Sequence, residues 1–313
     1  MNRYTPIAGL LIISILGVTS PVIADEVAMN LLNRMKNALH ELSYKGTLAY
    51  MRGSSVQTLQ INHTVVNGIE NESVVRVNDT GSEVSRELKG FSLASIPKIS
   101  SIMKQVYSFD VGRTSRIAKL PCVIITARPK DRARYLQKYC INKKTGMLLD
   151  YILVDKSHKP VERFMFTTIN IASSNKVLQM ESAEALANKT KKSKVIAGRA
   201  NNSSQKINQL TPPNLDGGWV IDRLPKGYNI RRAPNIRGGQ NKKGRLHYIL
   251  SDGLSSLSVF LSPDTKNDLA DNVIVNSGAL NVLRQRKQNH MITVVGEVPV
   301  STLKSVLRYI RRK

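Results

Sequence analysis

The densest run of chemically active side chains lies late in the chain. From Arg223 to Arg245 stand Arg223, Lys226, Arg231, Arg232, Arg237, Lys242, Lys243 and Arg245, with Asp222 beside them as the nearest acid. A guanidinium grips phosphate or carboxylate through two parallel N–H donors, and Lys adds a mobile point charge. Gly238, Gly239 and Gly244 keep part of the stretch pliable. Arg231, Arg232, Arg237, Lys242, Lys243 and Arg245 are therefore candidate residues for binding an anion or an acidic partner. A solvated basic loop has the same composition, so both readings stand.

Catalytic constellations are harder to find. Ser101-Ile102-Met103-Lys104 fits Ser-x-x-Lys, and Lys144-Thr145-Gly146 fits the strand triplet that borders the site of penicillin-binding enzymes. Their settings do not fit. Pro97 and the Ser-rich run around Ser101 read as a loop, Lys144-Thr145-Gly146 reads as a turn, and the nearest approach to Ser-Asp-Asn is Ser251-Asp252-Gly253. His40, His63, His158, His247 and His290 are scattered, without metal-ligand spacing. His63 reads as a packed or hydrogen-bonded strand residue. No Gly-x-Ser-x-Gly, His-Glu-x-x-His or phosphate-binding Gly loop occurs. These observations point away from an enzyme, imply no cofactor or metal, and favour binding or regulation.

The two cysteines, Cys122 and Cys140, fall in consecutive expected strands around a turn centred on Asp131. Directly opposite residues of an antiparallel pair bring their Cβ atoms within about 5.5 Å, close to disulfide reach. A disulfide is the expectation. A one-residue slip of register would leave two separate thiols on opposite faces.

The N-terminus bears on that bond. Arg3 is followed by an apolar run from Pro6 to Val18, and Val22-Ile23-Ala24 has the small residues of a cleavage site. This reads as a secretory signal peptide over residues 1–24, with an uncleaved anchor as the alternative. Export implies an oxidising compartment, which favours the disulfide. It also reframes the charge. The chain has 47 Lys and Arg against 22 Asp and Glu, a net charge of +25. In a cytoplasmic protein that suggests nucleic acid; outside the inner membrane it suggests anionic lipid, lipopolysaccharide or acidic protein segments.

The elements that would position these groups follow from periodicity. Val27, Leu31, Met35, Ala38, Leu39 and Leu42 form one stripe at helical spacing. Strands are expected at 46–51, 57–65, 122–128, 134–141, 147–154 and 161–171, joined by short polar turns. One helix with such a meander implies an open antiparallel barrel wrapped on a helix, an α+β domain over residues 25–187. Residues 188–216 are rich in Asn, Ser, Lys and Thr and include Pro212-Pro213, which reads as an exposed linker. Residues 217–313 form a smaller α+β domain, with strands at 245–250, 254–261, 273–275 and 291–296. Its last helix would be started by Pro299 and capped by Ser301, with Leu303, Val306, Leu307 and Ile310 facing the core.

Several segments together resemble a known family. Trp219 with Leu224-Pro225-Lys226-Gly227-Tyr228, the run Tyr248 to Val259, and Ile292 to Pro299 are similar to the C-terminal domain of the sigma-E factor regulatory proteins, RseB/MucB. Leu42-Ser43-Tyr44-Lys45-Gly46-Thr47, Val111-Gly112-Arg113, Cys122-Val123-Ile124, the turn 142–148 and Glu162-Arg163-Phe164 are similar to its N-terminal domain. The resemblance implies a periplasmic protein whose N-terminal domain is built like the lipoprotein carriers LolA and LolB. It implies binding to the periplasmic part of a membrane anti-sigma factor, mainly through the C-terminal domain. It further implies protection of that factor from proteolysis and release by lipopolysaccharide or a related lipid. A periplasmic lipid or lipoprotein carrier on the same barrel is the alternative. Nucleic acid is not an expected partner, and homo-oligomerisation stays open.

Overall fold

A computed structural model of the chain describes residues 21–77, 83–85, 93, 103–172, 215–233, 245–263 and 273–313. The N-terminal helix α1 runs Pro21–Glu41. Ala28, Leu32, Met35 and Leu39 on it are fully buried, as their spacing of four, three and four dictates. The boundary expected after Ala24 falls in its first turn, and residues 1–20 lie outside the described residues.

Against α1 lies a sheet of nine strands: β1 (Tyr44–Arg52), β2 (Ser55–Val66), β3 (Ile69–Val77), β4 (Glu83–Ser85), β5 (Tyr107–Ile117), β6 (Leu120–Pro129), β7 (Leu136–Ile141), β8 (Leu148–Val154) and β9 (Pro160–Ile171). Their order is β4-β3-β2-β1-β9-β8-β7-β6-β5. Antiparallel pairing of β1 with β9 joins two meanders, and β4 and β5 are left as edges. The sheet is therefore open, as expected. Leu48, Leu59, Ile61 and Phe166 on its inner face meet Leu32, Met35 and Leu39 of α1 in one core.

Strands β3 and β5 escape periodicity. β3 is mostly polar and exposed, and five consecutive residues of β5 are exposed, because neither strand has a fully covered face. A single helical turn, α2 (Met103–Val106), buries Met103 and Val106 where a loop was expected. Ser101 lies outside the described residues.

Cys122 and Cys140 are joined by a disulfide with their Cα atoms 5.4 Å apart. The register differs from the expected one. Cys140 sits opposite Ile124, so the bond runs diagonally between β6 and β7 rather than straight across. An offset of two residues keeps both side chains on one face. Lys144-Thr145-Gly146 lies in the turn between β7 and β8. Asn142 Oδ1 accepts hydrogen bonds from the amides of Lys144 (3.0 Å) and Thr145 (2.9 Å). At Gly146, φ is +81° and a Cβ would stand 2.7 Å from the Arg34 carbonyl oxygen, so a side chain here would push α1 off the turn.

The C-terminal domain begins with β10 (Trp219–Ile221), followed by β11 (Asn229–Arg232), β12 (Leu246–Ser251), β13 (Ser256–Pro263), β14 (Ile274–Ser277), β15 (Leu280–Lys287), β16 (His290–Gly296), helix α3 (Val300–Tyr309) and β17 (Ile310–Arg312). Six strands form one antiparallel sheet in the order β11-β12-β13-β16-β15-β14, and β10 pairs with β17. Leu303, Val306 and Leu307 of α3 pack with Trp219, Val259, Ile292 and Val294. Pro299 precedes α3, but Ser301 does not cap it: no side-chain cap bond forms, and the Pro299 carbonyl accepts the Thr302 amide at 2.8 Å. β13 starts at Ser256 rather than Leu254 because Asp252 Oδ1 accepts the amides of Leu254 and Ser255 in a tight turn. Of the expected linker, 188–216, residues 188–214 lie outside the described residues, and Leu215 at its end is buried in the C-terminal core.

Candidate functional site: a buried domain seam and a basic sheet edge

The two domains meet across a polar seam centred on Arg134, in the loop before β7. Its side chain and that of Asp252 are both fully buried. Arg134 Nε donates to Asp252, Nη1 to Asp131, and Nη2 to the Lys226 carbonyl. The guanidinium lies 4.7 Å from the ring centre of Tyr228 and 5.6 Å from that of Tyr107. Burial opposes the charge on Arg134, but the Asp252 carboxylate outweighs it and holds the group above its ordinary pKa. Tyr107 donates to Asp252 Oδ2 at 3.1 Å; burial, then the Asp252 charge, pushes its phenol well up.

Further bonds extend the seam. Gln137 donates to the Leu254 carbonyl at 3.3 Å, Asn281 to the Tyr135 hydroxyl at 3.0 Å, and Thr302 to the Ala133 carbonyl at 2.9 Å. Buried Glu162 on β9 accepts the Tyr50 hydroxyl at 2.7 Å. Burial raises its carboxyl, opposed by that bond, by Arg52, and by the Ala279 amide from the other domain. At Gly278 (φ +60°) a Cβ would stand 2.5 Å from Arg52 Cγ, so only Gly admits this approach. Sequence reasoning missed the seam. Its one visible signal was Ser251-Asp252-Gly253, a turn whose Asp faces a loop 118 residues away.

The candidate basic residues divide. Arg231 and Arg232 stand exposed on β11, an edge of the C-terminal sheet, and Arg245 is exposed just before β12. Arg237, Lys242 and Lys243 lie outside the described residues. His247 on β12 stacks on Phe260 at 4.1 Å. Burial, then the positive charge of Arg231, lowers its pKa.

Two other places have defined chemistry. His63 is buried, donates Nδ1–H to the Leu42 carbonyl at 2.8 Å and stacks on Tyr44 at 4.7 Å. Its Nε2 lies 3.7 Å from Glu70, which also meets His40 at 3.1 Å. Among the described residues no three His, Cys, Asp or Glu side chains are grouped to hold a metal. The outer face of β9, β1, β2 and β3 carries an open groove of about 480 Å³, lined by Lys45, Thr47, Gln60, Asn62, Ser73 and Asn170 among others. Its polar lining groups are amides, hydroxyls and the Lys45 ammonium. The inner face of the sheet is occupied where described by the side chains of α1.

An open nine-stranded sheet on a helix, joined by a buried seam to a smaller six-stranded sheet, defines a two-domain α+β protein whose exposed chemistry is a basic edge. The chain belongs to the MucB/RseB family: residues 27–187 match the MucB/RseB N-terminal domain and residues 213–311 the MucB/RseB C-terminal domain. It is 26% identical to the sigma factor AlgU regulatory protein MucB of Pseudomonas aeruginosa, over 96% of each chain. It is 23% identical to the sigma-E factor regulatory protein RseB of Salmonella typhimurium, over 90% of each. In fold it is similar to the crystal structure of MucB in complex with MucA(peri), with TM-score 0.58 and 24% identity over 91% of this chain and 99% of that one. The crystal structure of MucB gives TM-score 0.58 at 23% identity, over 92% and 98%.

Proposed function

We propose that this protein is a periplasmic regulator that binds the periplasmic part of a membrane anti-sigma factor. In this reading it shields that factor from proteolysis and lets go when lipopolysaccharide or a related lipid accumulates. Residues 1–24 act as the signal peptide that exports it, and residues 188–216 link the domains. The observation that carries the reading is the match of both domains, in order, to one family whose curated members are sigma-factor regulatory proteins. A solved relative is a complex of MucB with MucA(peri), which supports an anti-sigma segment as the partner. The carrier reading gains no support from the inner face of the barrel, which α1 fills where described.

The test uses the purified mature protein and the purified periplasmic region of the anti-sigma factor from the same organism. Binding by calorimetry, slower cleavage of that region by its periplasmic protease, and weakening of both by added lipopolysaccharide are expected. Absence of binding overturns the proposal. Binding that ignores lipopolysaccharide overturns the release step alone.

A further inference from the structure

Two carboxyls meet at the seam, one from each domain. Glu162 on β9 is buried. Its Oε1 accepts the Tyr50 hydroxyl at 2.7 Å, while its Oε2 makes no hydrogen bond among the described residues. Arg52 Nε stands 4.0 Å from that oxygen and is itself without a hydrogen bond, so the ion pair is incomplete. Glu297 belongs to the C-terminal domain, between β16 and α3, and the chain on both sides of it is fixed. A Cβ on Gly296 would stand 2.5 Å from Leu257 Cβ, so the end of β16 lies tight on β13. Asn281 donates to the Val298 carbonyl at 2.8 Å and to the Tyr135 hydroxyl of the N-terminal domain at 3.0 Å. Part of Glu297 is exposed, yet its charge acts across the seam on Tyr50, Tyr151 and Glu162.

The charges at this point do not balance. Tyr50 and Arg52 on β1, Tyr151 on β8 and Glu162 on β9 face Glu297. Burial first, then the nearby negative charges, pushes both phenols up, so they stay neutral. Among the described residues the cation that faces both carboxyls is Arg52. One proton on the pair makes the cluster neutral; with both ionised, a negative charge is left uncompensated in the interface. Burial, then the Glu162 charge, pushes the Glu297 carboxyl up to about 7 from its ordinary 4.5, against the opposing charge of Arg52. Burial raises Glu162 as well. Separating the domains lets water reach both groups. The docked value lies above the separated one, so docking is fully favoured below the ordinary value and weakens as pH rises towards the raised one.

We propose that Glu162 and Glu297 form a proton-operated latch between the two domains. One proton on the pair holds the turn between β14 and β15 against β1 and β9, and its loss to solvent loosens the seam. The latch stands on the two carboxyls alone and does not depend on which partner the protein binds. It is built where the domains already touch closely: Ala279 is fully buried against Tyr135 and Leu153, and its amide donates to Glu162. The Arg134–Asp252 pair at the centre of the seam is balanced, cation against carboxylate, so proton loss acts at the Glu162 end first.

The test is amide hydrogen exchange on the full mature protein at pH 5 and pH 8, corrected for the pH dependence of intrinsic exchange. The Ala279 amide should lose protection by about tenfold or more between the two, while amides in the β13–β16 ladder, inside one domain, keep theirs. E297Q and E162Q each leave a single carboxyl for Arg52, so in both variants Ala279 should stay protected at pH 8. Carbon-13 NMR of labelled glutamate should show Glu297 titrating near neutrality in the wild type and at lower pH in E162Q. Equal protection of wild-type Ala279 at both pH values overturns the latch. So does a loss that persists undiminished in E297Q. A loss shared equally by the β13–β16 amides reports unfolding of the domain rather than opening of the seam, and overturns it too.

Discussion

Replacing Arg134 by Met tests whether the seam holds the two domains as one unit. The substitution keeps most of the apolar stem and removes a fully buried cation. Breaking a buried ion pair from one side costs about 3–5 kcal/mol, because the remaining charge is left without its partner. Here the remaining charge is well supported. Asp252 still accepts the amides of Leu254 and Ser255, the Ser255 hydroxyl at 2.9 Å and the Tyr107 hydroxyl at 3.1 Å. That places the loss near the low end, about 3 kcal/mol, or a fall in Tm on the order of 6–12 °C. D252N should cost more, about 4–5 kcal/mol, since Arg134 would keep only Asp131, the Lys226 carbonyl and two ring faces. The double variant should cost less than the sum of the two by about 2 kcal/mol. The assay is urea unfolding followed by tryptophan fluorescence, which reports the C-terminal domain through Trp219, and by far-UV circular dichroism, which reports both. The two probes should coincide in the wild type and separate in R134M. If R134M unfolds within about 0.5 kcal/mol of wild type with coincident probes, or the double variant is additive, the seam does not couple the domains.

Two further outcomes follow from the geometry. Glu162 has a carboxyl raised above its ordinary value by burial, so folding favours the protonated form and stability falls as pH rises from the ordinary value to the raised one. E162Q should therefore melt higher than wild type at pH 8, with the gap closing by pH 4; equal melting at both pH values refutes the burial penalty. Removing the Cys122–Cys140 bond, which spans 18 residues, with paired Ser substitutions should cost about 3 kcal/mol. Dithiothreitol should lower the Tm of wild type and leave that variant unchanged, and a wild type indifferent to reductant counts against the bond in solution.

The amino-acid sequence by itself determined the elements whose periodicity is complete. The stripe Leu31, Met35, Ala38 and Leu39 needs only the 3.6-residue period to declare α1, although Val27, read into the same stripe, is exposed while Ala28 beside it is buried. Leu59 and Ile61 in β2, the Asn142 turn and the apolar face of α3 are equally local. It also placed a basic cluster whose residues Arg231 and Arg232 stand exposed on β11, the outermost described strand of the C-terminal sheet, and two cysteines close enough to join. Tertiary structure decided the rest, because each remaining feature depends on what lies opposite. β3 and β5 exist through their neighbours' hydrogen bonds, since their own side chains are too polar or too exposed to show a period. The offset of Cys140 from Cys122 depends on strand register, which no single strand encodes. In the sequence Arg134 reads as the first residue of a strand and Asp252 as a polar turn residue. Only the docking of two domains, with Tyr107 and Tyr228 closing over the guanidinium, removes the water that would otherwise separate their charges and makes them a buried pair.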